Sequence, residues 1–470
     1  MINIALAAAS AVAAALIFPK FNLYWLAWLA LVPFFLSLYR AKGWREALCC
    51  GFIFGVIFFG IHLAWLLTLF RFVSWWIALG WVCLVLFQTL FILLFVWLFR
   101  LSRFVDFANA LVIALLWTAI EWLRAWGPFG VTGGDLGYSQ VQFLPLIQIA
   151  SFSSVYGVSF LIVLVNVTIA DILMEPATKR RGSIIFTIAL LIVSLSYGFF
   201  VLRGNRPALP AGREVYSQVP EQSLKVALIQ PNIDQRDRLD PRKVKTIFNI
   251  NKQLTQQALQ QKPDVVVWPE TSLFTYVLHD QALFAEIKEL ARQTGVWLVM
   301  GVPHYVGNKA YNSLISISPS GEVVSRYDKQ HLVPFGEYLP FRALLYPFLR
   351  GVGYYEGAYD SNPQPQQLKV GKLDLAAAIC FESTFPYAIR DRVKPGSAFI
   401  LLVTNDAWFN DSSALYFHLN CGVFRAIENR KYFIQVGNTG ISAVVDPYGR
   451  ILEELPVNQR QVLIFKVPLS

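Results

Sequence analysis

Three stretches of this chain end an apolar run on a side chain that can react. V-V-V-W-P-E closes on Glu270, Y-D-K-Q-H-L-V-P-F-G-E carries Lys329 and Glu337, and A-A-A-I-C-F-E-S carries Cys380. A thiolate, not a thiol, attacks a carbonyl carbon, so something must take the thiol proton near neutral pH. Glu270 can do so where apolar surroundings lift its pKa. A lysine ammonium beside the reacting carbon can neutralise the oxyanion as it forms. Nucleophile, base and cation together are the set that acyl transfer through a thioester needs. Singly, each has a plainer reading: an inert core thiol, a strand-end surface carboxylate, a solvated lysine and, for Glu337, a capping carboxylate.

These groups need elements to hold them. Residues 373–379 are small and apolar and read as a buried strand that gives way to a turn at Cys380, with Pro386 soon after. In an α/β sheet reactive side chains lie at such strand ends. From Leu224 onward short apolar runs alternate with amphipathic segments, the α/β pattern. The spacing predicts strands at 224–230, 264–268, 296–301, 398–403 and 432–436, and helices at 242–261, 281–294 and 413–429. Two hairpins are expected, 312–317 with 323–327 and 441–445 with 451–455. About 250 residues of this kind can bury their own core.

The first half of the chain is different in kind. The whole sequence is 56% hydrophobic and 15% charged, and the apolar excess lies before about residue 202. Seven apolar runs are expected to form a transmembrane helical bundle: 4–18, 23–39, 47–70, 73–99, 108–123, 157–173 and 184–202. The first has no Lys or Arg before it, so it reads as an anchor rather than a signal peptide. Alternate loops carry eight basic residues (Arg40, Lys42, Arg45, Arg100, Arg103, Lys179, Arg180, Arg181) against three (Lys20, Arg71, Arg124). Basic loops stay in the cytoplasm, so everything after the seventh run is expected outside. The expected domains are 1–202 in the membrane, a proline-bearing linker at 203–222, and 223–470 as the catalytic domain.

The formal charge of +10 belongs largely to those loops. No basic patch interleaved with aromatics suggests nucleic acid. His residues are scattered, so no metal site is expected. Cys380 and Cys421 are the two cysteines on the outer side; a bridge between them would silence the thiol. An outer loop, G-P-F-G-V-T-G-G-D-L-G-Y-S-Q, carries Tyr138 near the membrane surface. His62, Glu121 and Asp171 are polar groups in or near spans, where ionisable residues raise a functional question. After the Lys329 loop comes an aromatic stretch with Phe341, Leu345 and Phe348, flanked by glycines. It reads either as a buried helix or, over 340–355, as a lid that dips into the outer leaflet and admits an acyl chain.

Glu, Lys and Cys in this order, within W-P-E, Y-D-K-x-H-L-V-P-F-G-E and C-F-E, resemble the nitrilase (carbon–nitrogen hydrolase) superfamily. With the multi-span first half, the chain is similar to the apolipoprotein N-acyltransferases of bacterial inner membranes; V-T-N-D-A-W-F and G-Y-S-Q match as well. The resemblance implies an αββα sandwich and no cofactor. The acyl donor is then a membrane phospholipid and the acceptor the N-terminal diacylglyceryl-cysteine of an apolipoprotein, with a monomer working at the bilayer. It implies catalytic Glu270, Lys329 and Cys380 with supporting Glu337 and Glu382; the lid reading adds Phe341, Leu345 and Phe348 as expected substrate contacts, with Tyr138 of the outer loop beside them. A membrane-tethered amidase using water as acceptor would use the same triad. A silent scaffold or transporter would have an inert Cys380. The chain departs from the family at Phe381, where Tyr is usual, in a loop at 234–241 without the usual Trp, at 437–440, and in ending without a further span.

Overall fold

The structure, a computed structural model, describes residues 1–72, 75–104, 110–174, 177–205, 222–350, 359–364 and 366–469. Most of the expected linker and the end of the expected lid therefore lie outside the described residues. The chain divides into two compact units: Met1–Arg206 with Ser412–Asn420, and Pro207–Asp411 with Cys421–Ser470.

The first unit is helical. Its main helices are α1 (Ile2–Leu16), α2 (Val32–Arg40), α3 (Trp44–His62), α4 (Trp76–Phe104), α5 (Ala110–Arg124), α6 (Ala150–Met174) and α7 (Ala177–Gly204). Four described helical stretches are long and apolar enough to cross a membrane: Trp44–His62, Trp76–Ser102, Ala150–Met174 and Arg181–Gly204. Runs 4–18 and 108–123 correspond to helices of 15 residues each. Run 23–39 is broken into short pieces before α2, with Pro33 in the first turn of α2. In hydrocarbon a broken helix must have its backbone groups satisfied from within the protein. Asn166 of α6 does this: its Oδ1 accepts from the Leu31 N–H at 2.9 Å, and its Nδ2 donates to the Ala27 carbonyl at 2.8 Å.

The second unit holds β1 (Ser223–Gln230), α8 (Val244–Ala258), β2 (Val265–Val267), α9 (Gln281–Thr294), β3 (Trp297–Val306), β4 (Lys309–Ile317) and β5 (Val323–Asp328). Then follow α10 (Arg342–Arg350), β6 (Leu368–Val370), β7 (Leu373–Ile379), α11 (Pro386–Arg392), β8 (Ser397–Thr404) and α12 (Ser413–Asn429), whose first half clusters with the helical unit. The chain closes with β9 (Phe433–Gly437), β10 (Ala443–Val445), β11 (Ile451–Glu454) and β12 (Gln461–Pro468). Two six-stranded sheets result, ordered β12-β1-β2-β3-β4-β5 and β11-β10-β9-β8-β7-β6.

Alternation along the strands stacks the two sheets. Val226, Leu228 and Val267 of the first meet Leu375, Ala377, Ile379, Leu401 and Val403 of the second in one buried cluster. Ala227, Ile229 and Val266 point the other way, onto Phe248 and Ile287 of the covering helices. Strands buried on both faces read as continuous apolar runs. On the second sheet Gly422 of α12 lies so close to Phe433 that an added Cβ would sit 2.4 Å from its ring. The αββα sandwich is thus present.

Several boundaries differ from expectation. β3 and β4 form a long hairpin across Gly307 (φ +60°) and Asn308, pairing Val306 with Lys309. Gly-Asn is a two-residue turn signal that the expected strands at 296–301 and 312–317 stop short of. β12, unforeseen in the sequence, pairs antiparallel with β1 from Ser223–Pro468 to Gln230–Gln461. Cys380 and Cys421 are thiols rather than a disulfide.

Candidate active site

Glu270 follows β2 on a tight turn. Trp268 is fully buried, and Thr271 takes a left-handed conformation (φ +44°). Gly301 on β3 makes that turn possible, because a Cβ there would lie 2.6 Å from Pro269 O and Thr271 N. The carboxylate is held from both sides. Asn312 Nδ2 donates to Oε1 at 2.7 Å, and the Asn405 backbone N–H donates to Oε2 at 2.8 Å.

Lys329 follows directly on β5, and its N–H donates to the Asn312 carbonyl at 2.8 Å. Its buried Nζ lies 2.9 Å from Glu337 Oε1 and 3.7 Å from Glu270 Oε1. Burial opposes the ammonium charge, but the carboxylates of Glu337 and Glu270 outweigh it and hold the pKa above the ordinary lysine value. Glu337 is fixed in turn by Asn312 Nδ2 at 3.0 Å and the Val333 N–H at 2.8 Å. An ammonium has three donors, so one can still meet a third oxygen.

Cys380 follows directly on β7 with φ +51°, a left-handed position rare for a side chain of its kind. It is half-buried. Burial pushes its thiol pKa well up, Glu270 and Asp406 add to that, and Lys329 and the Thr404 hydroxyl work against it. The turn is pinned by Glu382, which is completely buried. Its carboxylate accepts from the Ile379 N–H at 2.8 Å, the Gln330 N–H at 2.8 Å, the His331 N–H at 3.0 Å and Tyr327 Oη at 2.9 Å. Arg392 of α11 closes the set with Nη2 at 2.7 Å from Oε1. Burial disfavours the Glu382 charge, yet Arg392 and these N–H groups hold its pKa below the usual carboxylate range. One carboxylate therefore ties the lysine loop to the cysteine turn.

The structure pairs Lys329 with both Glu270 and Glu337, and Glu270 and Lys329 act on the Cys380 thiol. Phe341 and Phe348 are 69% and 74% exposed, Leu345 is half-buried, and α10 has no buried residue, which sets aside the buried-helix reading. Tyr138 is fully buried in the helical unit, its ring 5.4 Å from that of Phe417. Sequence reading missed Asn312, Asn405 and Arg392. Asn405 lies in the quoted V-T-N-D-A-W-F run, but it acts through a backbone N–H that any residue except proline supplies. Among the described residues no group of His, Cys, Asp and Glu is placed to hold a metal ion.

Residues 225–470 match the carbon-nitrogen hydrolase family, and residues 10–168 the apolipoprotein N-acyltransferase N-terminal domain. An apolipoprotein N-acyltransferase of Geobacter metallireducens is 36% identical, covering 99% of this chain and 89% of its own. That of Pasteurella multocida is 31% identical over 97% and 88%. A nitrilase-superfamily amidase structure from Nesterenkonia AN1 aligns with 53% of this chain and 93% of its own, at 22% identity and a TM-score of 0.41.

Proposed function

The chain belongs to the apolipoprotein N-acyltransferase family, and from that membership we propose a two-step reaction centred on Cys380. In the first step Glu270 takes the thiol proton and the thiolate attacks an ester carbonyl carbon of a phospholipid. The ester C–O bond breaks, the proton passes from Glu270 to the leaving alkoxide, and a lysophospholipid departs from a thioester. In the second step the neutral α-amino group of a diacylglyceryl-cysteine attacks the thioester carbon. Glu270 takes the amine proton, the C–S bond breaks, and the proton returns to sulfur as the amide forms.

Lys329 serves the oxyanion in both steps. The observation that carries this reading is its buried ammonium, 2.9 Å from Glu337 and 3.7 Å from Glu270. Oriented before substrate arrives, such a charge needs no reorganisation during reaction. Glu337 holds the lysine, and Glu382 holds the loops on either side of the nucleophile. The exposed α10 acts as the lid, with Phe341, Leu345 and Phe348 meeting lipid. The distribution of basic loops supports a catalytic unit on the outer face of the inner membrane.

The test is direct. Purified protein mixed with phospholipid vesicles should gain the mass of one acyl chain on the peptide containing Cys380, and Cys380→Ala should gain none. Adding a diacylglyceryl-cysteine peptide should discharge the chain as an amide. Release as free fatty acid alone, with no amide, would replace this reading with hydrolysis.

A further inference from the structure

A guanidinium taken out of water is costly unless an opposite charge meets it. Four arginines are buried among the described residues: Arg124, Arg238, Arg392 and Arg425. Three of them face carboxylates, Asp135 at 2.6 Å, Glu382 at 2.7 Å and Glu428 at 2.9 Å. Arg238, only 7% exposed, pairs with no carboxylate among the described residues.

Its surroundings place it at the active site. Arg238 ends the single helical turn Gln235–Arg238 after β1. Its Nη1 donates to the carbonyls of Glu270 and Thr271, both at 3.2 Å, and the group lies 5.8 Å from the Phe274 ring. In its alternative amide orientation Asn405 would add a neutral oxygen 3.3 Å away. All of these acceptors are neutral. Nε and Nη2 make no hydrogen bond in the orientation described, and with the Asn405 amide turned Nη2 meets its oxygen while Nε is left over. The ionisable groups that bear on it are Glu270, Tyr359 and Cys380, of which Glu270 acts most strongly. A clamp on two carbonyls uses only part of a five-donor fork. The remaining edge is a ready partner for an anion, and a guanidinium fork matches phosphate oxygens.

We propose that Arg238 binds the phosphodiester of the acyl donor, a few bonds from the ester that Cys380 attacks. This role rests on the acyl transfer proposed above. The diacylglyceryl-cysteine of the acceptor carries no phosphodiester, so Arg238 favours the first substrate over the second.

The experiment compares two acyl donors in the same neutral micelles, a diacyl phosphatidylglycerol and the matching diacylglycerol, which lacks phosphate. Acylation of Cys380 is followed by mass for the wild type, Arg238→Gln and Arg238→Lys. The expected result is a fall of about 10- to 100-fold in the ratio of kcat/KM for phosphatidylglycerol to that for diacylglycerol, the usual scale of a charged hydrogen bond. That fall should lie in KM, with partial recovery in Arg238→Lys. Alkylation of Cys380 by iodoacetamide reports whether each variant keeps its site. Equal losses on both lipids would make Arg238 a backbone clamp and overturn the proposal, as would no loss on either. Inhibition of the diacylglycerol reaction by inorganic phosphate in the wild type but not in Arg238→Gln would assign the group to free phosphate instead, also overturning it. A wild type that takes acyl groups from neither lipid overturns the acyl-transfer reading along with it.

Discussion

Both units of this protein bury clusters of charge, and the clusters are built for different ends. In the helical unit Arg124 pairs with Asp135 at 2.6 Å and donates to the Gly133 carbonyl at 3.1 Å, while Glu121 accepts from the Leu136 N–H at 3.0 Å. Each contact ties α5 to the loop that follows it. In the catalytic unit Lys329 is shared by two carboxylates beside a thiol on a left-handed turn. The helical cluster holds backbone in place; the other sets an ammonium near a thiol, the pair that the proposed reaction uses. Buried charge alone therefore does not mark a reactive site, even inside a membrane unit.

That contrast can be broken or sharpened by substitution. The largest effect is expected at Lys329. Lys329→Met should slow thioester formation by about 10²–10³-fold, the usual cost of one oxyanion donor, mainly in kcat. A defect confined to KM would reassign the lysine to substrate binding.

Glu382 comes next, because losing it leaves Arg392 buried without a partner. Glu382→Gln should destabilise the catalytic unit by about 3–5 kcal/mol. The pH dependence has a definite sign. The folded carboxyl is held below its unfolded value, so its stabilisation is complete above about pH 4.3 and is lost as pH falls through the folded pKa. Melting curves from about pH 7 to about pH 3 should therefore decline less steeply in Glu382→Gln than in the wild type. Parallel curves would mean that the pair does not set acid stability.

Replacing Phe341, Leu345 and Phe348 together with Ser should slow acylation by bilayer phospholipid about tenfold. Alkylation of Cys380 by a small soluble reagent should continue. Loss of both would mean that α10 shapes the site itself. The smallest effect on chemistry is expected from Asp135→Asn. It should lower the melting temperature in detergent while Cys380 alkylation changes by less than about twofold. A large drop in alkylation would erase the distinction between the two clusters.

Much of this was legible in the sequence. The apolar runs of β1 and β7 mark buried strands, and the three strand ends carry the groups that meet or approach one another. The donors that fix them were not legible. Asn312 is an ordinary strand residue until the β3–β4 hairpin places it against Glu270 and Glu337. Arg238 reads as one charge among several in Q-R-D-R until burial singles it out. Glu382 collects donors from β5, the lysine loop and α11, a convergence that no spacing reveals. Sequence periodicity reports faces and ends of elements; which polar partner arrives from a distant element is a property of the assembled sheets.

The splint at Asn166 has a consequence for how the protein is made. The Leu31 amide and the Ala27 carbonyl leave the ribosome well before their partner, which lies 135 residues after Leu31. Until Asn166 is in place, these two groups lack the partners they have in the folded unit. The broken segment is therefore expected to settle only once α6 lies beside it. Asn166→Leu would raise the hydropathy of α6 and ease its own entry, yet leave the earlier segment stranded. The groups at 27 and 31 are made long before the side chain that satisfies them.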